Sequence, residues 1–270
     1  MIIDFHTHAF PEKIASRTIE ALISNVSRIS DYPMRNCTDG TASGLLDVEK
    51  RAGVDLAVVL PIVTNPKQTE TVNRVARETN EANCGLYSFG SIHPADPDAI
   101  AWIDRLAKEG FKGIKLHPEF QDFFVDEPIV TDIVKKAKEL NLYVLFHSGV
   151  DLGYHPPVHC TPERLRKVID KCGGENIIAA HFGGFMMWDD VKKFLAGTPI
   201  MMDTSMTSGY LGKDLFLEII AIHGTDKILF GSDSPWQTPK KSLEFLESTG
   251  LCEKDLELIK HKNAERILGL

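Results

Sequence analysis

Several things are missing from this sequence, and each absence narrows what the chain can do. Its five cysteines (Cys37, Cys84, Cys160, Cys172 and Cys252) form no CxxC pair and are odd in number. That argues against a disulfide framework and for reduced, packed thiols in a cytoplasmic protein. No basic block interrupts a chain of net charge −8, so nucleic acid is not an expected partner. No segment approaches the roughly 20 uninterrupted apolar residues of a membrane-spanning helix. The opening Met1-Ile2-Ile3-Asp4-Phe5-His6 lacks the basic stretch of a signal peptide. Internal repeats and low-complexity segments are missing too.

What is present is an ordinary globular composition, 270 residues with 43% hydrophobic and 25% charged. A single domain over 1–270 of this length buries roughly 75% of its unfolded surface and needs no staple. Short apolar or β-branched runs recur at 2–6, 54–60, 86–92, 111–116, 142–146, 176–180, 199–203 and 227–231. Between them lie stretches of helical period, at 97–109, 126–140, 162–172, 187–196 and 212–222. Pro97 and Pro162 follow the N-cap candidates Asp96 and Thr161, while Gly110 and Gly173 stand where left-handed C-caps belong. Continuous apolar runs suit parallel strands buried on both faces. Eight strand–helix units therefore predict an α/β chain, a single (β/α)8 TIM barrel, with a doubly wound open sheet as the competing arrangement. An extra helix and the polar loop 30–44 follow the first strand, a second long loop covers 149–161, and 240–270 reads as closing helices.

His6-Thr7-His8 is the sharpest chemical signal. Residues i and i+2 of a strand point to one side about 7 Å apart, so two imidazoles can converge on one ion. Taken alone, such a pair reads equally as two histidines capping a loop. It has company, however: His147 ends the fifth strand (YVLFHSG), His181 the sixth (IIAAHFGG), and Asp233 follows the eighth (ILFGSDSP). Each polar group stands where an apolar strand gives out, at the end where barrels place their active sites. Neutral imidazole and carboxylate suit zinc, manganese or iron, whereas calcium or magnesium would favour oxygen donors.

These pieces resemble the amidohydrolase superfamily, and within it the branch of aminocarboxymuconate-semialdehyde decarboxylase. The resemblance runs through IIDFHTH, KGIKLHPEFQ, LFHSG, IIAAHFGG, ILFGSDSPW and NAERILGL. It implies that His6, His8, His147 and Asp233 hold one divalent ion, zinc in the first place with manganese or iron as alternatives. His181 would lie beside it as a catalytic residue, or be a further ligand in a two-metal site. Asp233 could also accept a proton from a metal-activated water. Lys115 and His117 share one face of the fourth strand. Lys115 would stand unmodified near substrate, be carbamylated between two ions, or pair with a carboxylate inside the barrel. His117 would line the pocket or cap its strand. Arg35, in the first long loop, is a candidate for a substrate carboxylate, with a solvated loop arginine as the alternative. His93 reads as loop packing, His155 and His159 as loop residues, and His223 and His261 as surface residues.

The expected reaction is hydrolysis of a small carboxylic ester, lactone or amide. Non-oxidative decarboxylation of an unsaturated or aromatic acid, or hydration of a double bond, is the alternative. Relatives that decarboxylate carry larger insertions after strand one, and the compact 30–44 stretch favours the hydrolase. A phosphoesterase of the polymerase-and-histidinol-phosphatase type lacks support from any cationic phosphate cradle, and a non-catalytic barrel would show a missing ligand. A small-molecule substrate and, by resemblance, a homodimer complete the expectations.

Overall fold

The computed structural model describes residues 1–270. Nine strands are all paired in parallel: β1 (Ile3–Thr7), β2 (Leu56–Val59), β3 (Leu86–Ser88), β4 (Gly90–Ser91), β5 (Gly113–Leu116), β6 (Tyr143–Phe146), β7 (Ile177–Ala179), β8 (Met201–Asp203) and β9 (Ile228–Leu229). They run in the orders β1-β2-β3 and β4 through β9. Only Phe89 separates β3 from β4, so these two are halves of one stave. Phe89 N–H reaches back to Val59 O at 3.0 Å, and Gly90 pairs forward with Ile114. At the other seam, Phe5 N–H donates to Phe230 O and Asp233 N–H to His6 O, each at 2.8 Å, and Thr7 bridges Ser234. The eight expected staves are all present in a TIM-barrel fold.

Helices follow the strands: α1 (Glu12–Ile29), α2 (Ala42–Ala52), α3 (Thr69–Ala82), α4 (Ala99–Lys108), α5 (Pro128–Glu139), α6 (Pro162–Cys172), α7 (Trp188–Phe194) and α8 (Lys213–His223). The chain closes with α9 (Pro239–Glu247), α10 (Glu253–Glu257) and α11 (Asn263–Leu268). Thr161 caps α6 as expected, its hydroxyl accepting from Arg164 N–H at 3.2 Å. At α4 the helix begins later than expected. Asp96 spends its carboxylate on Asp98 N–H, and Pro97 stays in that leading turn.

Side chains of alternate parity fill two layers. Ile3, Phe5, Val58, Leu145, Ile178 and Leu229 form an interior plug. Ile114, Val144, Phe146, Ile177, Met202 and Ile228 face the helices instead. The plug accounts for a break in β1. Its register advances from Asp4↔Ala57 to Thr7↔Val59, three residues against two, which is a β-bulge. Phe5 and His6 therefore both turn inward: Phe5 joins the plug, and His6 opens the layer above it. His223, expected at the surface, is instead buried at 1% exposure. Its Nε2–H reaches Ile200 O at 3.0 Å and its Nδ1 accepts from Gly197 N–H, because the end of α8 packs against the entry to β8.

Candidate metal centre

Inward positions at the C-terminal ends of the strands carry the polar groups. Gly231 shows how tightly they are placed, since a Cβ there would lie 2.9 Å from that of His6. Glycine at the mouth of β9 leaves that volume to the imidazole. His181 and Asp233 both adopt left-handed backbone, with φ of 57° and 71°. For non-glycine residues this costs on the order of 1–3 kcal/mol each and is concentrated at functional sites.

Hydrogen bonding settles which nitrogen of each ring is free. Asp203 is fully buried, and its Oδ2 takes the Nδ1–H of His6 at 2.9 Å. Leu60 O takes the Nδ1–H of His8 at 2.9 Å. A second chain of bonds starts from the same aspartate: the Ser205 hydroxyl donates to Asp203 Oδ1 and accepts from His181 Nδ1–H at 2.8 Å. His181 Nε2 then accepts from His147 Nδ1–H at 3.0 Å. Three Nε2 lone pairs are left without protons, on His6, His8 and His147. That of His147 is buried and has no partner at all. The Nε2 atoms of His6 and His8 lie 3.5 and 3.2 Å from one oxygen of Asp233. Anchoring the far nitrogen of each ring is how metal-binding histidines are held in the ligating tautomer. His6, His8 and Asp233 thus form one compact donor set that fits a borderline divalent cation, while His147 groups with His117 and Asp151.

Electrostatics agrees. Burial, followed by repulsion from neighbouring positive groups, drives His6, His147 and His181 well below the ordinary histidine value, so these rings are neutral. Burial raises the Asp233 carboxyl. Lys115, 1% exposed, is lowered to about 8 by burial, against the pull of Asp203 and Asp233. Its ammonium lies 3.4 Å from His6 Nε2 and forms no salt bridge with a carboxylate, which does not favour the alternative of a pair inside the barrel.

His117 lines the same cavity. Its ring is stacked between Phe120 and His147, at centroid distances of 3.9 and 4.1 Å, and its Nε2 lies 3.3 Å from Asp151 Oδ2. Arg35 is not brought to the site. It is exposed and lies outside the cavity wall, because the loop after α1 turns Met34 inward; the arginine at the rim is Arg28 of α1. His93 packs its own loop, with Nδ1 accepting from Ala95 N–H, and His159 holds Pro118 O. Sequence reasoning missed Asp203, Ser205 and Asp151. Asp203 did carry a signal, being the acidic end of the apolar run PIMMD, at the same place in its strand as the histidines in theirs. Above this floor opens a cavity of about 900 Å³.

Residues 3–270 match the amidohydrolase family. No curated protein matches the sequence. Solved structures share the fold at low identity. A 5-carboxyvanillate decarboxylase from Sphingomonas paucimobilis aligns with a TM-score of 0.72 at 16% identity, covering 100% of this chain and 99% of that one. A 2,6-dihydroxybenzoate decarboxylase from Rhizobium aligns at 0.70 and 17%, covering 99% and 98%. A Pseudomonas putida protein assigned as a 2-pyrone-4,6-dicarboxylic acid hydrolase aligns at 0.67 and 14%, covering 99% and 97%.

Proposed function

The chain belongs to the amidohydrolase family, and on that premise we propose that it is a metal-dependent hydrolase of a carboxylic ester, lactone or amide. The observation that carries the metal reading is the set of proton-free Nε2 atoms: two lie within 3.5 Å of one Asp233 oxygen, and the third is buried without a partner. His6, His8, His147 and Asp233 would hold one divalent ion, zinc in the first place with manganese or iron as alternatives. Such an ion, when bound, brings a water to a pKa of about 7 and polarises a carbonyl.

The chain's own groups supply the rest. Asp233, within 3.5 Å of the Nε2 atoms of His6 and His8, is placed to take a proton from the attacking water. Lys115 presents an ammonium where negative charge develops on the carbonyl oxygen. His181, linked through Ser205 to Asp203, moves a proton between site and leaving group. His117 and Asp151 orient the substrate from the opposite wall.

Lys115 is the only cation fixed at the floor. Arg28, at the rim, spends its Nε–H on Ser24 O of its own helix. An uncharged carbonyl substrate suits that balance. Decarboxylation is the second reading, favoured by the two decarboxylases that share the fold. A panel of esters, lactones and aromatic acids, followed for acid release and for CO2, separates the two. Carbon dioxide from an unsaturated acid with no hydrolytic turnover would replace the first reading by the second. Metal analysis should give about one ion per chain, with sharp losses in His6→Ala and Asp233→Ala. Two ions bridged by a modified Lys115 would refute the single-ion centre.

A further inference from the structure

The cavity above the metal centre is far larger than a small ester requires: its 900 Å³ is about thirty times the ~30 Å³ share of one liquid water. Its wall reaches well beyond the histidines. From the histidine floor the wall passes Leu60 and Ile62 and continues along α3 through Val72, Val75, Ala76 and Thr79. Those four follow the i, i+3, i+4, i+7 spacing of one helix face, over about 10 Å of helix axis. α1 contributes a matching stripe with Ile14, Thr18 and Leu22.

The valines of α3 and the Ile14 and Leu22 side chains belong to none of the three apolar clusters of the protein. Val72, Val75 and Leu22 are half-buried, and Ile14 is 36% exposed. The fold thus holds two apolar helix stripes against a space that its own side chains leave open, in one cavity with the reactive groups. α1 buries only Ala15, Ile19 and Val26, with Ile19 over Gly40, and Asn25 Nδ2–H reaches Gly153 O at 2.8 Å.

Resting on the hydrolase reading, we propose that the substrate carries an unbranched acyl arm. This arm lies between the α1 and α3 stripes while its carbonyl sits at the metal centre. Val72, Val75 and Leu22 are then the residues that set chain-length preference. The charge distribution agrees: the one arginine of that wall, Arg28, has its Nε–H on Ser24 O of its own helix, and the α3 stripe carries no charge, so the groove suits hydrocarbon better than a second carboxylate.

The test uses the zinc-loaded protein. Its kcat/KM is measured on p-nitrophenyl esters from acetyl to dodecanoyl, and its affinity for the free unbranched acids is measured by calorimetry. Each methylene entering the groove should raise kcat/KM about three- to fourfold, as burial of apolar surface requires, until the groove is full. Val75→Trp should end the rise at a shorter chain, and Leu22→Trp does the same from the other wall if the first variant fails to fold. Ester turnover that is flat with chain length overturns the acyl arm and leaves the hydrolase reading intact. No ester turnover, with affinity for free acids that grows with length and is cut short in Val75→Trp, keeps the acyl arm and removes the hydrolase. Absence of both length effects overturns the proposal, as does a dimer that Val75→Trp dissociates without any change in chain preference.

Discussion

Asp203→Asn tests the proposed metal centre through a residue outside the proposed ligand set. Asp203 receives four donors: His6 Nδ1–H, the backbone N–H groups of His181 and Ser205, and the Ser205 hydroxyl. Alanine would strand all four, at ~1–3 kcal/mol for each buried unpaired group, against a total stability of ~5–15 kcal/mol. That loss is too large to interpret. Asparagine keeps one acceptor oxygen for the three bonds to Oδ1 and places an amide opposite His6. The amide donates, so His6 Nδ1 must accept and its proton moves to Nε2, which removes the lone pair needed for ligation. Disturbing such an outer contact lowers metal affinity about 10- to 100-fold, which is ~1.4–2.7 kcal/mol. Zinc affinity measured by chelator competition, beside the melting temperature of the metal-free protein, provides the readout. Affinity should fall within that range while the metal-free melting temperature stays close to wild type. Wild-type affinity in a folded Asp203→Asn protein would falsify the assignment of His6 as a ligand oriented by Asp203.

Three further outcomes are expected. Behind β1, burial and then repulsion from Asp4 raise the Glu49 carboxyl to about 10, and burial raises that of Asp4 to about 7 against hydrogen bonds from Ser232 and His6. The folded protein therefore keeps a proton on Glu49 that the unfolded chain releases near 4.5, so stability falls as pH rises, by at most ~1.4 kcal/mol per pH unit. Denaturant titrations at several pH values between those limits should show Glu49→Gln gaining on wild type as pH increases, and a constant gap would count against the buried pair. Lys115→Met should lower kcat about 10²–10³-fold with metal content unchanged. It should also abolish the loss of activity as pH rises through about 8, where the lysine gives up its charge; an unaltered pH profile would remove the lysine from the reaction. Gly149→Ala should lower the melting temperature, because its φ is 88° and a Cβ would meet Phe185 N at 2.1 Å. Backbone conformation alone contributes more than ~1 kcal/mol of that loss, and an unchanged melting temperature would show that the Gly149–Phe185 contact yields easily.

Periodicity made the staves and most helices legible, since strands buried on both faces read as continuous apolar runs and the helices between them repeat at 3.6 residues. The histidines of the candidate metal centre were legible for a related reason: a polar residue at the end of an apolar run stands out. What could not be read was the set of groups that orient them. Asp203 has the same position in its strand, yet one carboxylate carries no spacing signature, and Ser205 looks like any loop serine. The β1 bulge was also hidden, because which residue is the extra one depends on pairing with β2 and not on β1 itself. Arg35 illustrates the opposite limit. Its chemistry was apt, but a loop's path over the mouth follows from contacts far away in sequence, and there Met34 turns in and Arg35 turns out. His223 was misplaced because a helix-terminal histidine is usually solvated, and only the docking of α8 on β8 buries it.

The bulge in β1 couples the barrel interior to the candidate centre. By turning Phe5 and His6 to the same side, it sets an aromatic ring of the interior plug beside the first histidine of the site. Phe5 is fully buried and meets the edge of Phe89 at 5.5 Å. Dry core and polar chamber thus meet at consecutive residues of one strand. A substitution that repacks the plug at Phe5 reaches the imidazole of His6 with no residue between them to absorb it.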